Sequence, residues 1–452
     1  MRRDEVKTAP ERSEPNTAVG ADPKETGLGS NFVSNYPPYS FWKEEDVRLA
    51  DTAFDREPRD RTPLGLYLHI PFCRKRCKFC YFKVFTDKRG DEVQRYLDAV
   101  VREVASYAGR AAVAGRPLEF VYFGGGTPSF ISARHLRVLV AGLKHELDWS
   151  AVREVTFECE PGTLTEAKLH AIREVGVTRL SLGIENFDDR ILAENGRAHT
   201  TREIYRVEPW IRQIGFEQLN IDLIAGMVGE SWDSWRETVR RTLEMAPDSV
   251  TVYQMELPYN TVYSQRLLDG REVGIADWAT KRAWHAYAFE QLSRLGYRGS
   301  SAYTMVRADR DVRFVYRDSV WHGCDLLGIG VSSFGHISGV HYQNESRWDP
   351  YLDAVESGRS AIARAFVTDA SERLVRETIL LLKRGYLDAR ALGQKHGADV
   401  VERFRPVVAE LSDRGLMTLS GDRIELTREG LLRVDQLLPH FYHPRYQNAR
   451  YT

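Results

Sequence analysis

Residues 67–82 read Tyr67-Leu-His-Ile-Pro-Phe-Cys73-Arg-Lys-Arg-Cys77-Lys-Phe-Cys80-Tyr-Phe82, and the whole chain has only five cysteines in 452 residues. A short apolar run leads straight into three cysteines spaced C-x3-C-x2-C. Thiolates are soft ligands that select iron–sulfur clusters or zinc. With no fourth thiolate or histidine at zinc-finger spacing, Cys73, Cys77 and Cys80 suit a [4Fe–4S] cluster with one iron left open. The competing explanations are a degenerate zinc site or an accidental grouping of cysteines.

From this stretch outward the chain alternates short apolar runs with amphipathic ones. Strands are expected at 64–69, 118–123, 152–158, 178–183, 218–223 and 249–255. Helices are expected at 91–107, 133–147, 165–175, 202–214, 232–245 and 278–295. Such alternation with short connections predicts parallel strands and right-handed crossovers. Six units fit between 64 and 300, which makes an α/β fold built on a partial (β/α)6 barrel, with chemistry at the C-terminal ends of the strands.

Around it, residues 1–30 read as a disordered tail, poor in large apolar residues. Residues 31–63 form a strap carrying Tyr36-Pro-Pro-Tyr-Ser-Phe-Trp42, which lies either over the barrel mouth or on its outside. Residues 301–366 form an irregular, Gly/Ser-rich segment that completes the barrel. Residues 367–452 change to two helices followed by a β-ribbon, a winged-helix-like domain without a basic recognition stripe.

Composition narrows the function classes. Lys+Arg 63 against Asp+Glu 64 gives a net charge of −1, so there is no electrostatic case for nucleic acid or an anionic membrane. Few cysteines, three of them clustered, argue for a reducing cytoplasm rather than a disulfide framework. No apolar h-region follows Met1 and no run is long enough to span a bilayer, so a soluble, monomeric, cytoplasmic enzyme is expected.

Other motifs fall at strand ends. Gly124-Gly-Gly-Thr-Pro128 follows a strand and precedes a helix, so its backbone can approach a ligand closely and favour a carboxylate. Glu158 and Glu160 (Phe-Glu-Cys-Glu), Glu185 (Leu-Gly-Ile-Glu) and Asp222 (Asn-Ile-Asp) close other strands, and Arg197 sits in Asn-Gly-Arg-Ala-His. These acids could meet ribose hydroxyls or a sulfonium, or could form an internal ion-pair layer. Cys159 and Cys324 read as packed small residues, and His69 as a residue orienting the loop.

The quoted motifs, with Arg-Leu-Ser-Leu-Gly-Ile-Glu, Asn-Ile-Asp-Leu-Ile-Ala-Gly and Leu-Leu-Gly-Ile-Gly-Val-Ser-Ser, resemble the oxygen-independent coproporphyrinogen III oxidase-like branch of radical S-adenosylmethionine (SAM) proteins. The resemblance covers 31–440. It implies a [4Fe–4S] cluster on Cys73, Cys77 and Cys80 and two SAM molecules. Tyr67, Gly125, Glu158 and Phe334 match contacts to the SAM on the cluster. Phe79, Gly126, Thr127, Glu185, Arg197, Asp222 and Glu256 match contacts to the second. It also implies a small-molecule substrate and a one-electron reductant such as flavodoxin or ferredoxin.

The branch holds porphyrinogen oxidases, haem chaperones and natural-product methylases or cyclopropanases. Departures occur at Phe82 (a fourth cysteine in the oxidase pattern), Glu185 (usually Gln), Gly226-Met-Val228 (usually Gly-Leu-Pro) and Glu256 (usually small). They lead to the expectation of a two-SAM methylase or cyclopropanase acting on an sp2 carbon, with Glu185 or Glu256 as catalytic base. Porphyrinogen decarboxylation is the alternative. The haem chaperone is the second alternative, with His341-Tyr342 or His440/His443 as the suggestive ligand sites.

Overall fold

The protein is described from a computed structural model covering residues 32–58, 62–447 and 449; the expected disordered tail lies outside the described residues. Strands β1 (Leu64–Ile70), β2 (Leu118–Gly125), β3 (Glu154–Cys159), β4 (Arg179–Glu185), β5 (Gln218–Ala225) and β6 (Ser249–Gln254) pair in sequence order, all parallel. They are short apolar runs buried on both faces, as a sheet covered by crossover helices requires. The helices between them present apolar stripes to the sheet and start at side-chain caps, such as Ser132, Thr165 and Ser231.

After β6, β7 (Tyr297–Gly299) and β8 (Thr304–Arg307) extend that edge antiparallel. On the other edge β9 (Asp325–Ile329) lies parallel to β1. Beyond it β10 (Phe334–Ile337), β11 (Val340–Asn344) and β12 (Ile362–Val367) run antiparallel, completing a 12-stranded sheet. These later strands are short and interrupted by Gly and Ser, which hides them from a periodicity reading. The C-terminal ends of the six parallel strands lie together at one end of the sheet. The other end is closed by Arg179 and Glu154, 2.7 Å apart and buried, with the Val315 and Tyr316 amides on the Glu154 carboxylate.

The C-terminal domain follows the order helix Ala370–Leu382, β13 (Tyr386–Asp388), helices Ala389–His396 and Val400–Asp413, then the hairpin β14 (Met417–Ser420) and β15 (Arg423–Leu426). It has its own apolar core, into which the strap inserts Val33 and Tyr36. The strap is also held by Lys43 backbone bonds to Ala365 and by Arg376 Nε donating to Asn35 at 2.7 Å. At its start, Phe32 packs on Tyr253 and Tyr303 at the barrel end. The strap therefore spans from the barrel mouth to the C-terminal core.

Candidate active site

Strand β1 ends at Pro71, and the cysteine loop folds back on itself: Cys73 N donates to Phe85 O at 3.1 Å and Phe85 N to Pro71 O at 2.7 Å. Gly125, the last residue of β2, and Gly126 after it are packed against β1 and this loop. A Cβ on Gly126 would lie 2.9 Å from Ile70 O, and one on Gly125, whose φ is +111°, would lie 2.6 Å from the His69 ring. Gly126 N and Thr127 N donate to Ile70 O and Phe72 O, each at 2.8 Å. The amides of Gly126 and Thr127 are thus spent on the loop, so any ligand contact there comes from the chain's other atoms. His69, expected to orient the loop, does so through Nε2 at 3.1 Å from Lys83 O.

Arg74 and Glu160 pin the loop to β3 in a two-pronged pair, Nη2 to Oε1 at 3.0 Å and Nε to Oε2 at 3.2 Å. Glu160 also accepts from Gly162 N at 3.0 Å and lies 3.1 Å from His199 Nδ1. Burial alone would raise its carboxyl; His199, Arg197 and Arg74 outweigh that and hold it down at about 2.

The three thiols fit a cluster. Cys73 Sγ lies 3.3 Å from the Thr127 hydroxyl, and Arg197 Nη1 donates toward Cys77 Sγ at 3.5 Å. Burial pushes the Cys73 thiol up to about 11 and that of Cys80 up to about 12, with the neighbouring Cys77 adding to both. Three mutually repelling, desolvated thiolates are stable only beside a cation, which is what a cationic iron core supplies. Among the described residues no three His, Cys, Asp or Glu are grouped so as to hold a single metal ion.

Beyond the cysteines, strand register sets the barrel lining. Tyr67 pairs Tyr122, Glu158 pairs Ser181, Ser181 pairs Asn220 and Asp222 pairs Thr251. Tyr67 and Tyr122 stack at 5.9 Å, and Tyr122 OH donates to Glu158 at 2.6 Å. Asp222 accepts from Ser181 at 2.7 Å and Asn220 at 2.9 Å. Glu185 occupies a left-handed backbone conformation, φ 66°, where the β4–β5 register slips; such strain in a non-glycine residue marks functional sites. Its carboxylate is 3.6 Å from Arg197 Nη2. Burial, with the neighbouring acids adding to it, raises Glu158 and Glu185 to about 7, and burial raises Asp222 to about 6. Three crowded carboxyls face one guanidinium: the mouth is short of positive charge.

Glu256 is placed differently from the other acids. Its Oε2 accepts the Phe32 amide of the strap at 3.1 Å, and it exerts its field on the buried ammonium groups of Lys281 and Lys383. Phe79 packs among Ile191, Ile224, Met227 and Met255 and so ties the cysteine loop to the ends of β5 and β6. Phe334 packs against Tyr39 of the strap, ring centroids 4.4 Å apart and tilted by 43°. Cys159 and Cys324 are buried packed residues, as expected. Of the haem-ligand candidates, His341 and Tyr342 are in the core, His443 Nε2 lies 2.9 Å from Ser371 Oγ, and His440 is partly exposed with Nδ1 3.1 Å from Leu437 O.

Sequence reasoning missed Tyr122, Ser181, Asn220 and Tyr253, although Asn220 stands two residues before Asp222, and Tyr122 two before Gly124, on the same strand face. It also missed Tyr316, which packs on Tyr122 at 4.3 Å from a helix outside the β-α repeat.

Comparison with known proteins follows this geometry. The Radical SAM superfamily matches residues 67–242, and the HemN C-terminal domain matches residues 369–433. An oxygen-independent coproporphyrinogen III oxidase from Synechocystis is 25% identical, over 90% of this chain and 91% of its own. The heme chaperone HemW of Lactococcus lactis is 26% identical, over 81% of this chain and 94% of its own. The solved coproporphyrinogen III oxidase (HemN) of Escherichia coli, a radical SAM enzyme, superposes with a TM-score of 0.78 at 25% identity, covering 91% of this chain and 96% of that one.

These relatives overturn the methylase, cyclopropanase and natural-product expectation, because full-length likeness runs to oxidases and a haem chaperone. The departures that supported it weigh less in three dimensions. Glu256, read as an added charge beside a sulfonium and a candidate base, accepts the strap amide of Phe32 and lies within electrostatic reach of Lys281 and Lys383. The assignment of Glu185 or Glu256 as a methylation base falls with the methylation reading on which it depended. No helix among the described residues is long and apolar enough to cross a membrane. A [4Fe–4S] cluster and SAM are the cofactors, acting with a reductant on a small molecule. The chain carries a Radical SAM domain followed by a HemN C-terminal domain, and is in that sense a HemN-like radical SAM protein.

Proposed function

We propose that this protein is an oxygen-independent coproporphyrinogen III oxidase, which converts propionate side chains of a porphyrinogen to vinyl groups. The observation that carries this reading is the match to such an oxidase over 90% of this chain and 91% of that one. When bound, the cluster supplies the electron for reductive cleavage of SAM to methionine and a hydrogen-abstracting 5′-deoxyadenosyl radical. Each propionate then loses a hydrogen atom, carbon dioxide and one electron, the last to an external acceptor.

The chain's residues bind and orient. We assign Tyr67, Gly125, Glu158 and Phe334 to SAM at the cluster, where Glu158 can receive ribose hydroxyls or an ammonium group. We assign Phe79, Gly126, Thr127, Glu185, Arg197, Asp222 and Glu256 to a second SAM molecule. The excess of carboxyl over guanidinium groups supports a cationic, sulfonium-bearing guest. Tyr39, Tyr81, Tyr253 and Tyr303 give the mouth an amphipathic lining suited to a large macrocycle. The burial of His341 and Tyr342 speaks against haem carriage at that pair. We place the protein in the cytoplasm as a monomer, reduced by a flavodoxin or ferredoxin.

The test is anaerobic turnover of reconstituted protein with SAM, reductant and coproporphyrinogen III. Vinyl product, carbon dioxide, methionine and 5′-deoxyadenosine together are expected. Stable haem binding without SAM cleavage would reject the oxidase in favour of the chaperone.

A further inference from the structure

The turn Asn195-Gly196-Arg197 is built against the cysteine loop. Lys78 N donates to Asn195 O at 3.0 Å. A Cβ on Gly196, whose φ is +77°, would lie 3.2 Å from Arg76 O and Lys78 N and 3.4 Å from Cys77 Cα. Only glycine allows this approach. Asn195 is fully buried: its Nδ2 donates to Ile191 O at 2.8 Å and Val228 O at 2.9 Å, while its Oδ1 accepts from Val228 N and Tyr263 OH, each at 3.1 Å. The turn is therefore rigid, and it delivers one side chain, Arg197, beneath the cysteines.

That side chain faces two ways. Nη1 points to Cys77 Sγ at 3.5 Å; Nη2 donates to Gly183 O at 2.7 Å and lies 3.6 Å from the Glu185 carboxylate. Its Nε is buried without a partner. Cys77 Sγ takes the guanidinium hydrogen bond, whereas Cys73 meets the neutral hydroxyl of Thr127 and feels the Arg197 charge only through space, as Cys80 feels that of Arg76.

We propose that Arg197 is a positioning residue that sets the cluster's reduction potential through Cys77, with Glu185 at its other end attenuating its charge. An N–H donor and a positive charge beside a ligating sulfur stabilise the more negative, reduced cluster and so raise its potential. Glu185, sharing the same guanidinium, works in the opposite direction. A chain of carboxylate, guanidinium and thiolate thus links the barrel mouth to the cluster, beyond any contact Arg197 makes with SAM. The inference rests on the family's cluster and not on the substrate proposed above, so its failure and that of the oxidase reading are separable.

The test is an EPR-monitored redox titration of reconstituted protein without SAM or substrate, alongside iron and sulfide content. With full cluster content, R197M is expected to have a more negative midpoint, R197K an intermediate one, and E185Q a less negative one. Unchanged midpoints, or R197M and E185Q shifting in the same direction, would overturn the proposal. Should R197M hold no cluster, E185Q decides alone: a raised midpoint supports the linkage, and an unchanged or lowered one refutes it. A merely structural arginine would not produce shifts of opposite sign.

Discussion

Two arginine–glutamate pairs flank the same cysteine loop and behave in opposite ways. Arg74–Glu160 is two-pronged, with extra donors from Gly162 and His199 nearby, and its carboxyl is held at about 2. Arg197–Glu185 is single and longer, 3.6 Å, beside Asp222 and Glu158, and burial raises its carboxyl to about 7. The first pair is satisfied by the fold, so it serves as a pin. The second is left wanting positive charge, which is the condition of a site awaiting a cationic ligand. Residue identity does not distinguish them; the surrounding donors do.

The comparison yields four predictions. Cys73→Ala touches neither ion pair, so it should abolish iron–sulfur content and SAM cleavage while leaving thermal stability near that of the unloaded parent. A large fall in the melting temperature would show that the loop's thiols, rather than Arg74–Glu160, hold it.

Glu160→Ala should then cost about 3 kcal/mol in chemical denaturation, the low end for breaking a buried pair because Arg74 is partly exposed. The parent carries the matching pH signature. Glu160 is depressed from 4.5 to about 2 on folding, so its contribution is full above the unfolded value and lost as pH falls through that window. Loss of that acid-side slope in Glu160→Ala is the check; an unchanged slope would remove Glu160 from the role of pin.

Glu185→Gln should do the reverse. Its carboxyl rises from 4.5 to about 7 on folding, so in the ligand-free protein the parent loses stability as pH climbs through that range. The glutamine variant should therefore be more stable, on the order of 1–3 kcal/mol at pH about 8, and should bind SAM more weakly. Measured destabilisation would make the two pairs alike and break the comparison.

Tyr122→Phe removes the 2.6 Å hydrogen bond to Glu158 and should have the smallest effect, about 1 kcal/mol. A several-fold rise in KM for SAM is expected with little change in stability; an unaltered KM would detach Glu158 from the cofactor.

Much of this was legible in the sequence because it depends on short-range patterning. The β-α alternation, the cysteine spacing and the strand-end acids all lie within a few residues of their cause. What stayed hidden depends on distance. Nothing local marks Phe32 as the donor to Glu256, 224 positions away, or Tyr316 as part of the lining. That is why Glu256 read as an unbalanced charge and led toward methylation. The opposed states of Glu160 and Glu185 were equally invisible, since both are acids at strand ends.

The central claim is hydrogen abstraction from a porphyrinogen propionate, and isotope transfer tests it most directly. Coproporphyrinogen III deuterated at the carbon next to the ring would be turned over anaerobically with SAM, and the 5′-deoxyadenosine analysed by mass spectrometry. The account predicts one deuterium in 5′-deoxyadenosine for each propionate converted to vinyl. Vinyl product with unlabelled 5′-deoxyadenosine, or SAM cleavage with the propionates intact, would contradict it.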